Sequence, residues 1–264
     1  MSRTSAYRAT LRALPGPWEP FLQQESHLPG PWANLELLQA AADEGSPAQF
    51  AHWLTQGDEF LAACGAAGFG RLAAEGVPGS LATLRQTAND RRWRVREAVA
   101  TGLQRVGARN LATLLEALAD WASGTPLERR AVVAALCEPA LLRGSPQALA
   151  VLEVLDRITA SLAAETARRS DEVRALRQAL GYGWSVAVAA CPEPGKRALE
   201  RWLASSDADI RWLARENLKK ARLTRLDPAW VAHWLAATAP HSAAAENRPA
   251  GRPRRSTGPQ RSRR

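Results

Sequence analysis

From residue 33 to residue 237 the apolar positions recur at three- and four-residue spacing. They fall in blocks separated by short breaks rich in Gly, Pro, Ser and Asp. This pattern predicts helices over 33–43, 47–56, 58–75, 80–88, 91–106, 110–121, 126–137, 146–163, 170–189, 194–204, 207–222 and 227–237. Links this short place successive helices side by side and antiparallel. The first 32 residues read differently. Leu14-Pro15-Gly16-Pro17-Trp18 recurs as Leu28-Pro29-Gly30-Pro31-Trp32. Pro-Gly-Pro forces turn or extended backbone. An irregular Pro/Gly/Trp-containing wrap is therefore expected over 1–32, with both Trp packed on the first helix and Pro31 in that helix's opening turn.

A longer repeat lies over the helical one. Asp90-Arg91-Arg92-Trp93-Arg94-Val95-Arg96-Glu97 matches Asp209-Ile210-Arg211-Trp212-Leu213-Ala214-Arg215-Glu216 as D-x-R-W-x-x-R-E, 119 residues apart. One third of that offset is about 40 residues, a helical-hairpin period. Weaker copies start at Leu127-Glu128-Arg129-Arg130 and at Asp171-Glu172-Val173-Arg174. On these residues the stretch from about 80 to 222 resembles the HEAT-like α-solenoid repeats, where the second helix of each repeat opens with an acid followed by an Arg. The resemblance implies an all-α fold, a right-handed α-solenoid of HEAT-type (armadillo-like) hairpins, here over 33–240. The paired Trp and Arg also bear a fainter likeness to the bacterial DNA alkylation-repair glycosylases built of HEAT-like repeats. Those enzymes hold damaged DNA on a concave surface with Trp, Asp and Arg. That likeness would need a carboxylate facing the groove, with Asp120 beside Trp121 or Asp90 near Trp93 as candidates.

On a helical wheel, Trp93 and Trp212 both project away from the apolar stripe, each with an Arg three residues on, Arg96 and Arg215. Two readings follow. In one, the Trp fill the seam between repeats, Asp90 and Asp209 cap helices, and the Arg pair with acids of the adjacent repeat as a ladder. In the other, Arg92, Trp93, Arg96, Arg211, Trp212, Arg215 and Lys219 form a binding groove, extended by Arg94, Lys220 and Arg222. There the cations meet phosphates or acidic peptides, and the Trp serve as stacking platforms.

Composition sharpens the fold and narrows the chemistry. The chain holds 53 Ala and 34 Leu against 12 Val and 2 Ile, which disfavours a sheet. Cys64, Cys137 and Cys191 are far apart, and His27, His52, His233 and His241 stand alone, so neither a zinc site nor a disulfide framework is expected. No phosphate-loop, dinucleotide or nucleophile-elbow motif occurs. The expectation is therefore no catalytic residue, no cofactor and no metal.

The net charge of +9 is uneven: +3 over 1–12, −7 over 13–80, +7 over 81–240 and +6 over 241–264. The last segment is rich in Arg, Pro, Gly and Ser and is expected to be a disordered arm. No apolar run of membrane-spanning length and no secretory leader is visible, so a cytoplasmic protein is expected. The function expected is a non-catalytic scaffold binding a macromolecule. A protein partner is favoured over DNA, with a DNA-binding or DNA-repair solenoid as the alternative. The sequence does not address oligomeric state.

Overall fold

Most of the predicted breaks carry a side chain that caps the next helix. Asn34 accepts from the Leu37 amide, Ser46 and Gln49 form a reciprocal capping box, and Asp58 accepts from Leu61. Asn110, Thr125, Ser170, Asp207 and Asp227 cap later helices in the same way. The computed structural model describes residues 2–144 and 146–239. The expected arm over 241–264 lies outside these. Among the described residues there are sixteen α-helices and no strand. They are α1 (Arg3–Ala13), α2 (Glu19–Gln24), α3 (Leu35–Glu44), α4 (Pro47–Leu54), α5 (Glu59–Ala74), α6 (Ser80–Thr87), α7 (Trp93–Arg109) and α8 (Leu111–Ala117), followed by a 3-10 turn over Trp121–Ser123. Then come α9 (Pro126–Leu136), α10 (Pro139–Leu142), α11 (Ala148–Ala163), α12 (Asp171–Ala190), α13 (Pro192–Leu203), α14 (Ala208–Leu218), α15 (Ala221–Leu226) and α16 (Pro228–Ala237). The fold is all-α, and no helix among the described residues is long and apolar enough to cross a membrane.

Helices α1, α3, α5, α7, α9, α12 and α14 stand in a file in which each packs on the next, and the intervening helices flank that file. The closest pair is α5 and α7. A Cβ added to Gly102 would lie 2.8 Å from the Gly70 Cα, so only glycine lets these backbones meet. Helix α5 is apolar on nearly every side and is buried from Phe60 to Gly68. Ion pairs tie neighbours in the file: Arg8 and Arg12 to Glu44, Arg94 to Glu59, Arg130 to Glu97, and Arg177 to Asp209.

Four expectations are corrected. The segment 1–32 is not irregular throughout. Helix α1 is capped by Ser2 and docks on α3 through the buried Leu11 and through Arg8 and Arg12 on Glu44, with α2 following. The two Pro-Gly-Pro-Trp copies do not behave alike. Trp18 packs against the fully buried Trp53, with ring centroids 6.2 Å apart, whereas Trp32 is 80% exposed. Because Asn34 is the cap, α3 begins at Leu35 and Pro31 lies outside it. Last, the single helix expected over 207–222 breaks at Lys219 and Lys220. The turn there carries Arg222 back over Tyr182 of α12, where the guanidinium lies 4.7 Å from the ring centre and donates to the Tyr182 hydroxyl at 2.5 Å.

Candidate binding face

Helices in a file bury the faces that meet their neighbours and leave a stripe one residue per turn wide. On α7 the stripe is Trp93, Glu97 and Thr101; on α9 it is Arg130 and Ala134, with Glu138 just past its end; on α12 it is Gln178 and Tyr182; on α14 it is Trp212 and Glu216, with Lys219 just past its end. The stripes adjoin. Arg130 of α9 pairs with Glu97 of α7, and Gln104 of α7 donates to the Ala134 carbonyl at 3.0 Å. A Cβ on Gly183 of α12 would lie 2.8 Å from Val133 of α9. Trp212 of α14 lies over Gly181 of α12, and the Arg177 guanidinium is 4.6 Å from its ring centre. Between α7, α9 and α12 the face sinks into a groove of about 250 Å³ lined by Thr101, Gln104, Arg130, Ala134, Ala179 and Tyr182, among others.

The residues expected to form a groove divide into two groups, separated by α9 and α12. Trp93 is the first residue of α7 and is 52% exposed, with the Arg94 guanidinium 4.7 Å from its ring centre. Arg92 donates to Asp90 at 2.6 Å and to the Gln56 carbonyl at 2.8 Å. Arg96 donates to the carbonyls of Asp90 and Arg91 at 2.7 and 2.8 Å. Burial, and then the neighbouring Arg130, hold the Arg96 pKa below its ordinary value. Burial opposes ionisation of Asp90, but hydrogen bonds from Arg92 outweigh it and hold that carboxyl below the usual range.

In the second group, Arg211, Trp212 and Arg215 line a cavity of about 510 Å³ with Leu203 and Thr238. Trp212 is 40% exposed. Arg211 donates to the Ser205 carbonyl at 2.7 Å and Arg215 to the Thr238 carbonyl at 2.6 Å, while Lys219 pairs with Glu216.

The seam-and-ladder reading of the motifs does not hold as drawn. The exposed Trp93 does not fill a seam, and Trp212 does so only along the edge that meets α12. Arg96 and Arg215 are not ladder members, because their acceptors are backbone carbonyls. The ladder exists, but Arg94, Arg130 and Arg177 form it. The two motifs stand at different places in their helices. Trp93 is the first residue of α7, whereas Trp212 is the fifth of α14. By buried pattern, Val95, Ala98, Val99, Gly102 and Leu103 correspond to Ile210, Leu213, Ala214, Asn217 and Leu218, one helical turn out of step with the sequence match.

The candidate catalytic carboxylates are placed elsewhere. The Asp90 carboxylate is held by Arg92, and Trp121, beside the exposed Asp120, is 3% exposed in the core. Among the described residues no cluster of His, Cys, Asp and Glu has the make-up of a metal site. Burial raises the Cys64 thiol pKa and pushes that of Cys137 up to about 12. One residue that matters on this face, Tyr182, escaped the sequence reading. The available signal for Tyr182 was its place between Gly181 and Gly183, since glycines inside a helix mark close approach by neighbours. No protein family, curated protein or solved structure matches the chain.

Proposed function

We propose that the chain is a right-handed HEAT-like α-solenoid acting in the cytoplasm as a non-catalytic binding scaffold, and that its partner is a protein. The observation that carries this reading is the set of large aromatic side chains left in solvent on α7, α12 and α14. Trp93 is 52%, Tyr182 44% and Trp212 40% exposed. Aromatic side chains grouped on one face offer the anchors on which protein interfaces depend. The file of helices, each packed on the next, is what a repeat array requires.

A duplex-binding groove is less well supported. Arg92, Arg96, Arg211 and Arg215 already donate to carboxylates or carbonyls of their own chain, and Glu97, Glu138 and Glu216 lie on the same face. The test is affinity capture with the full chain as bait, with and without nuclease, against a Trp93→Ser/Tyr182→Ser/Trp212→Ser variant. The three side chains are exposed, so the variant should fold and should lose its partner, while nuclease leaves recovery by the parent chain unchanged. Recovery that vanishes with nuclease, or that the triple variant retains in full, overturns the reading.

A further inference from the structure

Most cations of the binding face donate to a carboxylate or a backbone carbonyl of the chain, and those at one end do not. Arg130 has Glu97, Arg177 has Asp209 and Lys219 has Glu216. At the C-terminal end of α12 the face continues into a hollow of about 300 Å³ between α10, α12 and α15. Its apolar floor is Leu142, Val186, Ala189 and Ala190, and its rim carries Arg143, Arg222 and Arg225, with no carboxylate in the lining. The side chains of Arg143 and Arg225 have no hydrogen-bond or ion-pair partner among the described residues.

Arg222 is bound on one side only. One terminal nitrogen donates to the Tyr182 hydroxyl at 2.5 Å, while the other, Nη1, is buried without an acceptor. Arg105, Arg129 and Arg177 also leave one buried nitrogen unbonded, but each meets a carboxylate through another nitrogen, on Asp43, Glu165 and Asp209. The Arg222 charge has no such counterpart. A guanidinium at the rim of a hollow that holds no carboxylate leaves an external anion as its natural complement.

The shape narrows the anion. Planar guanidinium groups suit a carboxylate, which they hold through paired hydrogen bonds. The floor beside them suits a small aliphatic side chain. A nucleic acid strand would bring a line of phosphates past Glu97, Glu138 and Glu216, and its sugars and bases would not fill so small an apolar floor.

We propose that the α10–α12–α15 hollow is the docking site for an acidic–apolar segment of the partner protein. An Asp or Glu carboxylate of that segment is held by Arg143, Arg222 and Arg225, and a neighbouring aliphatic side chain lies on Ala189 and Ala190. This rests on the binding-scaffold reading and adds the chemistry of the partner. Tyr182 then serves twice, as an aromatic anchor on the face and as the surface that holds Arg222 at the rim of the hollow.

The experiment is fluorescence anisotropy with the full chain and a short labelled peptide of Asp, Leu and Ser. Three comparison probes are used: the same peptide with Asn for Asp, the same with Ser for Leu, and a single-stranded oligodeoxynucleotide. The variants are Arg143→Ala and Arg225→Ala, whose side chains have no partner to lose, so folding is preserved. Losing one charged hydrogen bond should weaken the Asp–Leu peptide by about tenfold or more for each variant. The Asn peptide and the Ser peptide should each bind worse than the parent peptide.

Equal binding of the Asn peptide, or no change in either variant, overturns the assignment. So does tighter binding of the oligodeoxynucleotide that the same variants abolish, which would make the hollow a nucleic acid site. The two proposals fail separately. If the parent chain captures a protein partner that both Arg variants retain at parental affinity, the hollow is wrong and the scaffold stands. If the parent chain captures no protein, the scaffold reading itself falls.

Discussion

Asn217 is the residue whose loss should damage the C-terminal half most for its size. It is fully buried, and its side chain reaches out of α14 into the backbone of α12. Its Oδ1 accepts from the Ser185 amide at 2.8 Å, and its Nδ2 donates to the carbonyls of Leu180 at 2.9 Å and Leu213 at 2.7 Å. Two backbone groups of α12 on either side of Tyr182 are thus bonded through a neighbouring helix. Asn217→Ala removes the side-chain partner of both, and neither can turn to water. Each buried group left unsatisfied costs about 1–3 kcal/mol, so the loss should be about 4 kcal/mol in all.

The assay is urea unfolding followed by circular dichroism. With a slope of roughly 2.5 kcal/mol per molar urea, the midpoint should fall by about 1.5 M. Asn217→Leu separates the causes. It refills the space but leaves the same groups unbonded, so it should not recover the loss. A midpoint for Asn217→Ala within about 0.2 M of the parent refutes the reasoning, and full recovery in Asn217→Leu would show that only volume matters there.

Two further outcomes follow from packing and charge. Gly102→Ala should lower stability by about 1–2 kcal/mol in thermal unfolding, because the new methyl meets the Gly70 backbone at 2.8 Å and the gain in helix propensity offsets only part of that clash. Gly181→Ala, where the nearest atoms are 3.5 Å away, should be neutral or mildly stabilising; a ranking the other way round would contradict the close approach of α5 and α7. Asp227 is held below the usual carboxyl range by the Trp230 amide and then by Lys196, so its contribution is present above the ordinary carboxyl pKa and is lost as pH falls through the lowered folded value. Asp227→Asn should therefore be less stable than the parent at neutral pH, and the difference should close below about pH 4; a gap independent of pH would show that the charge plays no part.

The helical elements were legible because period and caps agree. Ser46, Asp58, Thr125, Ser170 and Asp207 stand where the apolar period restarts, and the helices begin after them. Helix α1 was not legible, because its apolar stripe is only Tyr7, Leu11 and Leu14. What fixes it is Glu44, more than thirty residues away. The D-x-R-W match misled for a physical reason. A slip of one turn barely rotates a helix, so Val95 and Val99 satisfy either register and only the caps decide between them. Asp207, not Asp209, caps α14.

The site was legible as a composition and not as an arrangement. A sequence shows that Arg is abundant over 81–240. It does not show whether an Arg ends on a carboxylate, on a carbonyl or on nothing, because the acceptor is often a backbone atom with no sequence signature. Arg96 and Arg215 look available and are spent on the carbonyls of Asp90, Arg91 and Thr238. Arg143, in a part of the chain with no motif, is unspent. Net charge therefore overstates the binding capacity of most of this face and understates it at one end. An arginine inventory corrected for internal acceptors moves the basic site from the repeated motifs to the junction of α10, α12 and α15. There Tyr182 holds Arg222 by ring and hydroxyl together, and no carboxylate of the lining meets the guanidinium.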